Sequence, residues 1–406
     1  MAAGLLAHEV ADLCLGKPPL KSLSISATVA DALAALKASD DYCISVWSCD
    51  HSNSIKKSSS SSSSSSFNNV NNEEDCICVG KICMVDIICY LCKEENLCCP
   101  SFALQSPVSA LLSKVPAALV RHVEPSSSIV EAIDLMLQGA QNLVIPIESR
   151  IIETSKRKLL QKSASITPTI HNGREFCWLT QEDVIRFLLN SIGVFSPLAA
   201  LSIERLGIIS PEFVATRYHS RAWSAIEAIE QALTDQTSVA VVDDDGILVG
   251  EISPFTLACC NETVAAAITT LSASDLMAYI DCGGPPEDIV RVVIARLKER
   301  NLEGMSKELM TNSPNIPSNS PSSDEEFSSP TATTSRLGRY GRSNSYSARM
   351  TRRAEAIVCH PGSSLVAVMI QAIARCVNYV WVIEEDGSVV GIVTFSNILE
   401  VFREYI

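Results

Sequence analysis

No stretch of this 406-residue chain stays apolar for the roughly 18 to 20 residues that a membrane-spanning helix needs. Aromatic residues make up only 5%, so any core must be mainly aliphatic. Basic residues are the scarcer charge, 32 Lys and Arg against 46 Asp and Glu, and the net charge of −14 removes the positive field that nucleic acid requires. Histidine is sparse too. His8, His51, His122, His171, His219 and His360 fall in no nucleophile, zinc or phosphate-loop motif, which argues against an enzyme. The start has no basic run, and Glu9 and Asp12 speak against a transit peptide. The expectation is a protein of the cytoplasm, or else the nucleus, with neither membrane nor nucleic acid as partner.

Apolar residues reach 47% and mean hydropathy is +0.20, enough for well-buried globular units, and 406 residues suit two to four of them. Cysteine is abundant: there are 16, seven of them between Cys76 and Cys99. Cys76-Ile77-Cys78 and Cys89-Tyr90-Leu91-Cys92 have zinc-like spacing, but the second lies in an apolar helical stretch, where cysteine acts as a small core residue. No metal site is expected in the chain.

The chain repeats itself. A shift of 236 places carries Pro125, Ser127, Ser128, Val130, Asn142, Val144 and Ile147 onto Pro361, Ser363, Ser364, Val366, Asn378, Val380 and Ile383. A shift of 100 aligns Val29 to Leu33 with Ile129 to Ile133, and Cys43 to Trp47 with Leu143 to Ile147. Each copy reads as a short lead-in segment, a strand, an amphipathic helix, a β-hairpin and a last helix. In the second copy Ser128 precedes a helix with Ile129, Ala132, Ile133 and Met136 on one face. Asp243-Asp244-Asp245-Gly246 and Glu384-Glu385-Asp386-Gly387 are hairpin turns. The lead-in segments are Val10 to Leu13, Val108 to Leu111, Ile203 to Leu206 and Ser274 to Met277.

Four β-α-β-β-α units in this order resemble the CBS domain. The runs Pro125 to Ile133 and Leu179 to Leu188 look like the gamma regulatory subunits of AMP-activated protein kinase. Asp12 to Leu20 and the serine-rich inserts look like the plant proteins built from CBS domains alone. The resemblance implies an α+β fold in which repeats pair through their sheets into two Bateman modules. Repeat 1 spans 7–95 with an insert at 51–75, and repeat 2 spans 104–190 with an insert at 148–174. Repeat 3 spans 200–260, and repeat 4 spans 271–406 with a disordered insert at about 282–353.

The resemblance also implies a nucleotide cleft marked by Gly, Ser/Thr and Asp at intervals of three, where the last strand meets the last helix. A hydroxyl beside free helix amides suits phosphate, and a carboxylate one turn on suits ribose hydroxyls. Repeat 2 offers Thr180 and Asp183 but has Cys177 for Gly. Repeat 1 offers Gly80 and Asp86 with Cys83 between. Repeat 3 has Gly250 and Ser253 but Thr256, and repeat 4 has Gly391, Thr394 and Asn397. Ser/Thr-x-x-acid is equally a helix capping box. Arg121 and His122 are candidate phosphate partners, and edge-strand polar residues are the plainer reading.

Ser343 and Ser345, after Arg339 and Arg342, are candidate phosphorylation sites in a polar insert. The expected role is a non-catalytic sensor that requires no cofactor, takes AMP, ADP or ATP as ligand, and modulates a protein partner such as a kinase-type complex or another regulated enzyme. A ligand-free interaction scaffold and a regulator of a thiol redox partner are the alternatives. A homodimer through the modules stays open.

Overall fold

The computed structural model describes residues 8–39, 41–49, 76–112, 119–147, 170–281, 287–312 and 354–406. Repeat 1 contains α1 (Val10–Cys14), β1 (Ser22–Ser24), α2 (Val29–Ala38), β2 (Cys43–Trp47), β3 (Cys78–Cys83) and α3 (Met84–Leu91). Repeat 2 follows with α4 (Ser109–Leu112), β4 (Val120–His122), α5 (Ile129–Leu137), β5 (Asn142–Ile147), β6 (Glu175–Thr180) and α6 (Gln181–Asn190). Repeat 3 has β7 (Ala215–Arg217), α7 (Ile226–Asp235), β8 (Val239–Val242), β9 (Leu248–Ile252), α8 (Pro254–Leu257) and α9 (Val264–Thr270). Repeat 4 has α10 (Ala273–Asp281), α11 (Glu287–Glu299), α12 (Glu303–Asn312), β10 (Val358–Cys359), α13 (Leu365–Arg375), β11 (Tyr379–Ile383), β12 (Val389–Thr394) and α14 (Phe395–Tyr405).

Each repeat builds one three-stranded sheet, and all four follow one rule. The first strand runs parallel to the second, and the second runs antiparallel to the third. Local chemistry sets the ends. Ser128 and Ser364 occupy matching N-caps, their hydroxyls accepting the N–H of Glu131 and Ala367. Gly246 and Gly387 close the predicted hairpins with φ near +83° and +85°, a region open to glycine without strain.

The lead-in segments are exchanged. Glu9 bridges to Ser128 of repeat 2, where the N–H groups of Val10 and Ala11 donate to Ser127 and Pro125. In return Val108 donates to Ala27, and Val29 to Ser106. The second module repeats the trade. Ile203 donates to Ser363, and Ala273 to Ser220. Each repeat therefore carries, against its own sheet, a piece of its partner's chain.

The sheets of repeats 1 and 2 face each other across Trp47, Cys78, Val120, Val144 and Phe176. Lys81 Nζ donates to Asn142 Oδ1 at 2.6 Å across the same face. Between repeats 3 and 4 the joint is polar and buried. Glu251 accepts from Tyr379 OH at 2.9 Å and from Trp381 Nε1 at 2.7 Å. Such a buried carboxylate is tolerated because it is hydrogen-bonded on both oxygens.

The two modules join through their helices. One core combines repeats 1 and 3, and another combines repeats 2 and 4. Arg403 grips Asp134 with two bonds of 2.5 and 3.1 Å, and Lys37 reaches Glu262 at 2.6 Å.

The segment 282–353, expected as disordered, contains α11 and α12. The reason is an apolar stripe that the expectation passed over: Val290, Val293, Ile294, Leu297, Leu302, Met305 and Leu309 are buried against the repeat 1–repeat 3 core. Arg296 and Arg300 also cap the carbonyls of Thr270 and Thr269 at the end of α9. Ser343 and Ser345, and the serine run Ser58 to Ser66, lie outside the described residues.

The signature glycines sit beneath the exchanged segments. A Cβ on Gly391 would come within 2.3 Å of the Ser210 carbonyl, whereas one on Gly80 would meet only the Leu112 methyl at 2.8 Å. A methyl can rotate away and a paired backbone cannot. Gly391→Ala should therefore cost about 1–3 kcal/mol in chemical denaturation and clearly more than Gly80→Ala; equal losses would contradict this packing account.

Candidate functional site

At the junction of β6 and α6, Thr180 is extended and Gln181 begins the helix. Thr180 Oγ1 accepts the Asp183 N–H at 3.4 Å, while Asp183 Oδ2 accepts the Thr180 N–H at 2.8 Å and the Thr180 hydroxyl at 2.7 Å. The capping box is complete. Lys17 Nζ also contacts Asp183 Oδ2 and donates to the Trp178 carbonyl at 2.8 Å. Both side chains of the pair stay partly open to solvent, 21% and 24% exposed. Lys17 follows Gly16, whose φ of +80° turns the chain out of α1 toward the cleft.

Repeat 4 builds the same box with an amide. Asn397 Oδ1 accepts from the Thr394 N–H at 3.0 Å and hydroxyl at 2.7 Å, and Thr394 Oγ1 accepts the Asn397 N–H at 3.2 Å. The two junctions meet, because Gln181 Nε2 donates to Ser396 Oγ at 3.1 Å. Thr180, Asp183, Thr394 and Asn397 thus gather at one seam between α6 and α14.

The other candidates go elsewhere. Asp86 accepts the Cys83 N–H at 2.7 Å, and burial raises its carboxyl above the usual range. It lines a hollow of about 70 Å³ between repeats 1 and 3, with Tyr90, Lys93, Glu230 and Thr234. Ser253 is 1% exposed. Its hydroxyl accepts the Phe255 N–H at 3.2 Å and bonds Tyr379 OH at 3.1 Å, so it belongs to the sheet joint. Arg121 and His122 lie on edge strand β4. His122 Nε2 accepts the Cys78 N–H at 3.0 Å, with its ring edge-on to Trp47 and Phe176.

Where the signature calls for glycine, repeat 2 has Cys177, 1% exposed. The Cys14 thiol of the exchanged α1 bonds it. That bond chiefly holds Cys14 below its ordinary range and pushes Cys177 up. Sequence reasoning missed Lys17 as a cleft residue. Among the described residues, donors suited to a metal converge at Cys49, Cys76 and His171.

The model of the CBS domain family matches residues 347–404, within repeat 4. The Arabidopsis thaliana CBS domain-containing protein CBSX5 is 50% identical over all of this chain and 99% of its own length. The chain belongs to the CBS domain-containing proteins. A second Arabidopsis relative, the SNF1-related protein kinase regulatory subunit gamma-like PV42b, is 21% identical over 80% of this chain and 75% of its own. The fold is similar to the crystal structure of a Methanocaldococcus jannaschii protein proposed as an archaeal homologue of γ-AMPK. That likeness has a TM-score of 0.51 at 14% identity, covering 97% of this chain and all of the other.

In this CBS protein the signature residues have local duties first. Glycine admits the exchanged segment, and the hydroxyl and carboxylate close the helix end. At the repeat 2–repeat 4 seam a partly open carboxylate is paired with Lys17 beside two helix N-termini, where anions are stabilised.

His122 titrates against the CBS fold. Desolvation lowers its pKa, and the Cys78 N–H needs an unprotonated Nε2. The unfolded chain then binds the proton more readily than the folded one, so this stability is present above about pH 6.5 and is lost as pH falls below it. Chemical denaturation between pH 7.5 and 5 should show His122→Gln with a shallower loss than wild type. Parallel profiles would contradict the assignment.

Proposed function

We propose that this CBS protein is a non-catalytic regulatory subunit that senses an adenine nucleotide at the seam of repeats 2 and 4. The observation that carries this reading is the Lys17–Asp183 pair at the start of α6, opposite the start of α14. In the unliganded chain Lys17 neutralises the carboxylate. An arriving ribose would take Asp183 through both hydroxyls, freeing Lys17 to meet a phosphate that already faces helix amides. Arg121 and His122 lie on edge strand β4 and are not needed in this scheme. A ligand that binds one module arrangement better than another would shift the population between them, and a partner would read that shift. The kinase subunit in the name of the 21%-identical relative supports a protein kinase or another regulated enzyme as partner. The proposed compartment is the cytoplasm or nucleus.

A scaffold that binds no nucleotide is the second reading, favoured by one observation: Thr180, Thr394 and Ser253 already bond within the chain. Regulation of a thiol partner is the weakest. Burial pushes Cys43 to about 11 and Cys78, Cys260 and Cys359 to about 12, which makes these thiols poor nucleophiles.

Thermal shift and calorimetry with AMP, ADP, ATP and S-adenosylmethionine separate the first two. A nucleotide at one hundred times its Kd should stabilise the chain by about 2.7 kcal/mol. Asp183→Asn keeps the capping geometry that Asn397 demonstrates in repeat 4 while removing the charge, and should weaken binding about tenfold. Lys17→Ala should weaken ATP more than adenosine. No shift with any of the four ligands selects the scaffold.

A further inference from the structure

The first module has a second polar centre, away from the seam, at the end of its facing sheets. Cys49 follows β2, Cys76 precedes β3 and His171 precedes β6. Three separate chain positions from two repeats therefore converge. One ligand-type atom from each lies within 4.8 Å of the other two. His171 is 3% exposed and Cys76 is 8% exposed, with Cys49 half-buried beside them, so two of the three donors lie inside the protein.

The imidazole is held from three sides. Its Nδ1 lies 3.1 Å from Cys49 Sγ, and its Nε2 lies 2.9 Å from Ser22 Oγ. Trp47 stacks on the ring face at 3.7 Å with only 4° between the planes. One nitrogen is thus turned to the sulfurs, the other is fixed by a hydroxyl, and the ring cannot rotate. Histidines that bind metals are oriented in this manner, with the second nitrogen donating to an outer oxygen.

We propose that Cys49, Cys76 and His171 bind a zinc-type ion that clamps repeat 1 to repeat 2. Two thiolates and one imidazole are the donor set such an ion selects, in a tetrahedron completed by water or a fourth donor. With bonds of about 2.3 Å to sulfur and about 2.0–2.1 Å to nitrogen, donors in a tetrahedral site stand about 3.5–3.8 Å apart. The present separations, from 3.1 Å between His171 Nδ1 and Cys49 Sγ to at most 4.8 Å, bracket that spacing, so the first must open by about 0.4 Å and the others close by about 1.3 Å at most. A Cys49–Cys76 disulfide is the rival chemistry. It would leave the stacked, pre-oriented imidazole without a task, and the zinc assignment accounts for all three groups. Binding requires both thiols to ionise, so each ion taken up releases roughly two protons and is lost toward acid.

The location gives the site a purpose. Cys49 and Cys76 are the two roots of the repeat 1 insertion, and His171 lies at the end of the repeat 2 insertion. An ion there would tie both roots together beside the cluster of Trp47, Val144 and Phe176 that joins the sheets.

Metal analysis of the full chain, purified with a reductant and without chelator, should find about one zinc per chain, as one three-ligand site requires. Replacement by cobalt should give thiolate-to-metal charge transfer in the near ultraviolet and the visible bands of tetrahedral cobalt. Cys49→Ser, Cys76→Ser and His171→Gln should each lose most of the metal, and Cys98→Ser, an exposed thiol outside the group, should keep it. Circular dichroism confirms that each variant is folded. The cobalt spectrum of the unmutated chain keeps the test valid should a variant not fold. A wild-type chain that takes up neither ion would overturn the proposal. So would a cobalt spectrum without thiolate bands, or an intact mass and peptide map showing Cys49 joined to Cys76 in the reduced preparation.

Discussion

Everything in this molecule rests on the trade of lead-in segments between paired repeats. A three-stranded sheet with two helices is too small to bury both its faces alone. Here one face is closed by the partner's sheet and the junction by the partner's chain. Val10 donates to Ser127 while Val108 donates to Ala27, so neither half is complete without the other. The glycine within the last strand of repeats 1, 3 and 4 leaves room for this contact, Cys177 stands in its place in repeat 2, and the cap that ends the strand follows from the helix that must start there. A motif associated with ligands is in the first place a condition of assembly.

The pairing also explains why the modules sit as they do. Once sheets face sheets, the remaining apolar surfaces are helical. They match repeat 1 to repeat 3 and repeat 2 to repeat 4. The signature of repeat 2 then lies opposite that of repeat 4, and Asp86 of repeat 1 opens toward Glu230 of repeat 3. The seam that carries Lys17 and Asp183 is a product of this second layer of packing. Any ligand there would touch both modules at once, which a regulatory protein needs if binding is to alter its shape.

Most of the architecture was readable from residues. The helix Leu365–Arg375 and the strands Tyr379–Ile383 and Val239–Val242 follow directly from apolar period, N-cap serine and Asp-Gly turns. The exchange was not readable, because short segments such as Val10 to Leu13 look the same whichever sheet they cover. Helices α11 and α12 were legible in the spacing of Val290, Val293 and Leu297 but were overshadowed by the polar sequence beyond them. Of the candidate residues, Thr180, Asp183, Thr394 and Asn397 follow from the spacing that the family resemblance implies, and they gather at one seam. Lys17 was not, since nothing in sequence ties it to a residue 166 positions away. His171 was set aside for the same reason. Its neighbours Cys49 and Cys76 are distant in the chain, and the visible cysteine spacings pointed to Cys78, which is core instead.

The hairpins themselves carry a last consequence. Between Cys49 and Cys76, and again between Ile147 and Ile170, the chain departs from the tip of one strand and returns to the tip of its neighbour, with the β5–β6 register unbroken and the β2–β3 register shifted once, at Val46/Trp47. Lengthening a loop at fixed ends costs only about 0.6 kcal/mol for each doubling. Such tips are places where a lineage can add or remove sequence cheaply, so that length variation among kindred proteins should concentrate there and spare the interlocked framework.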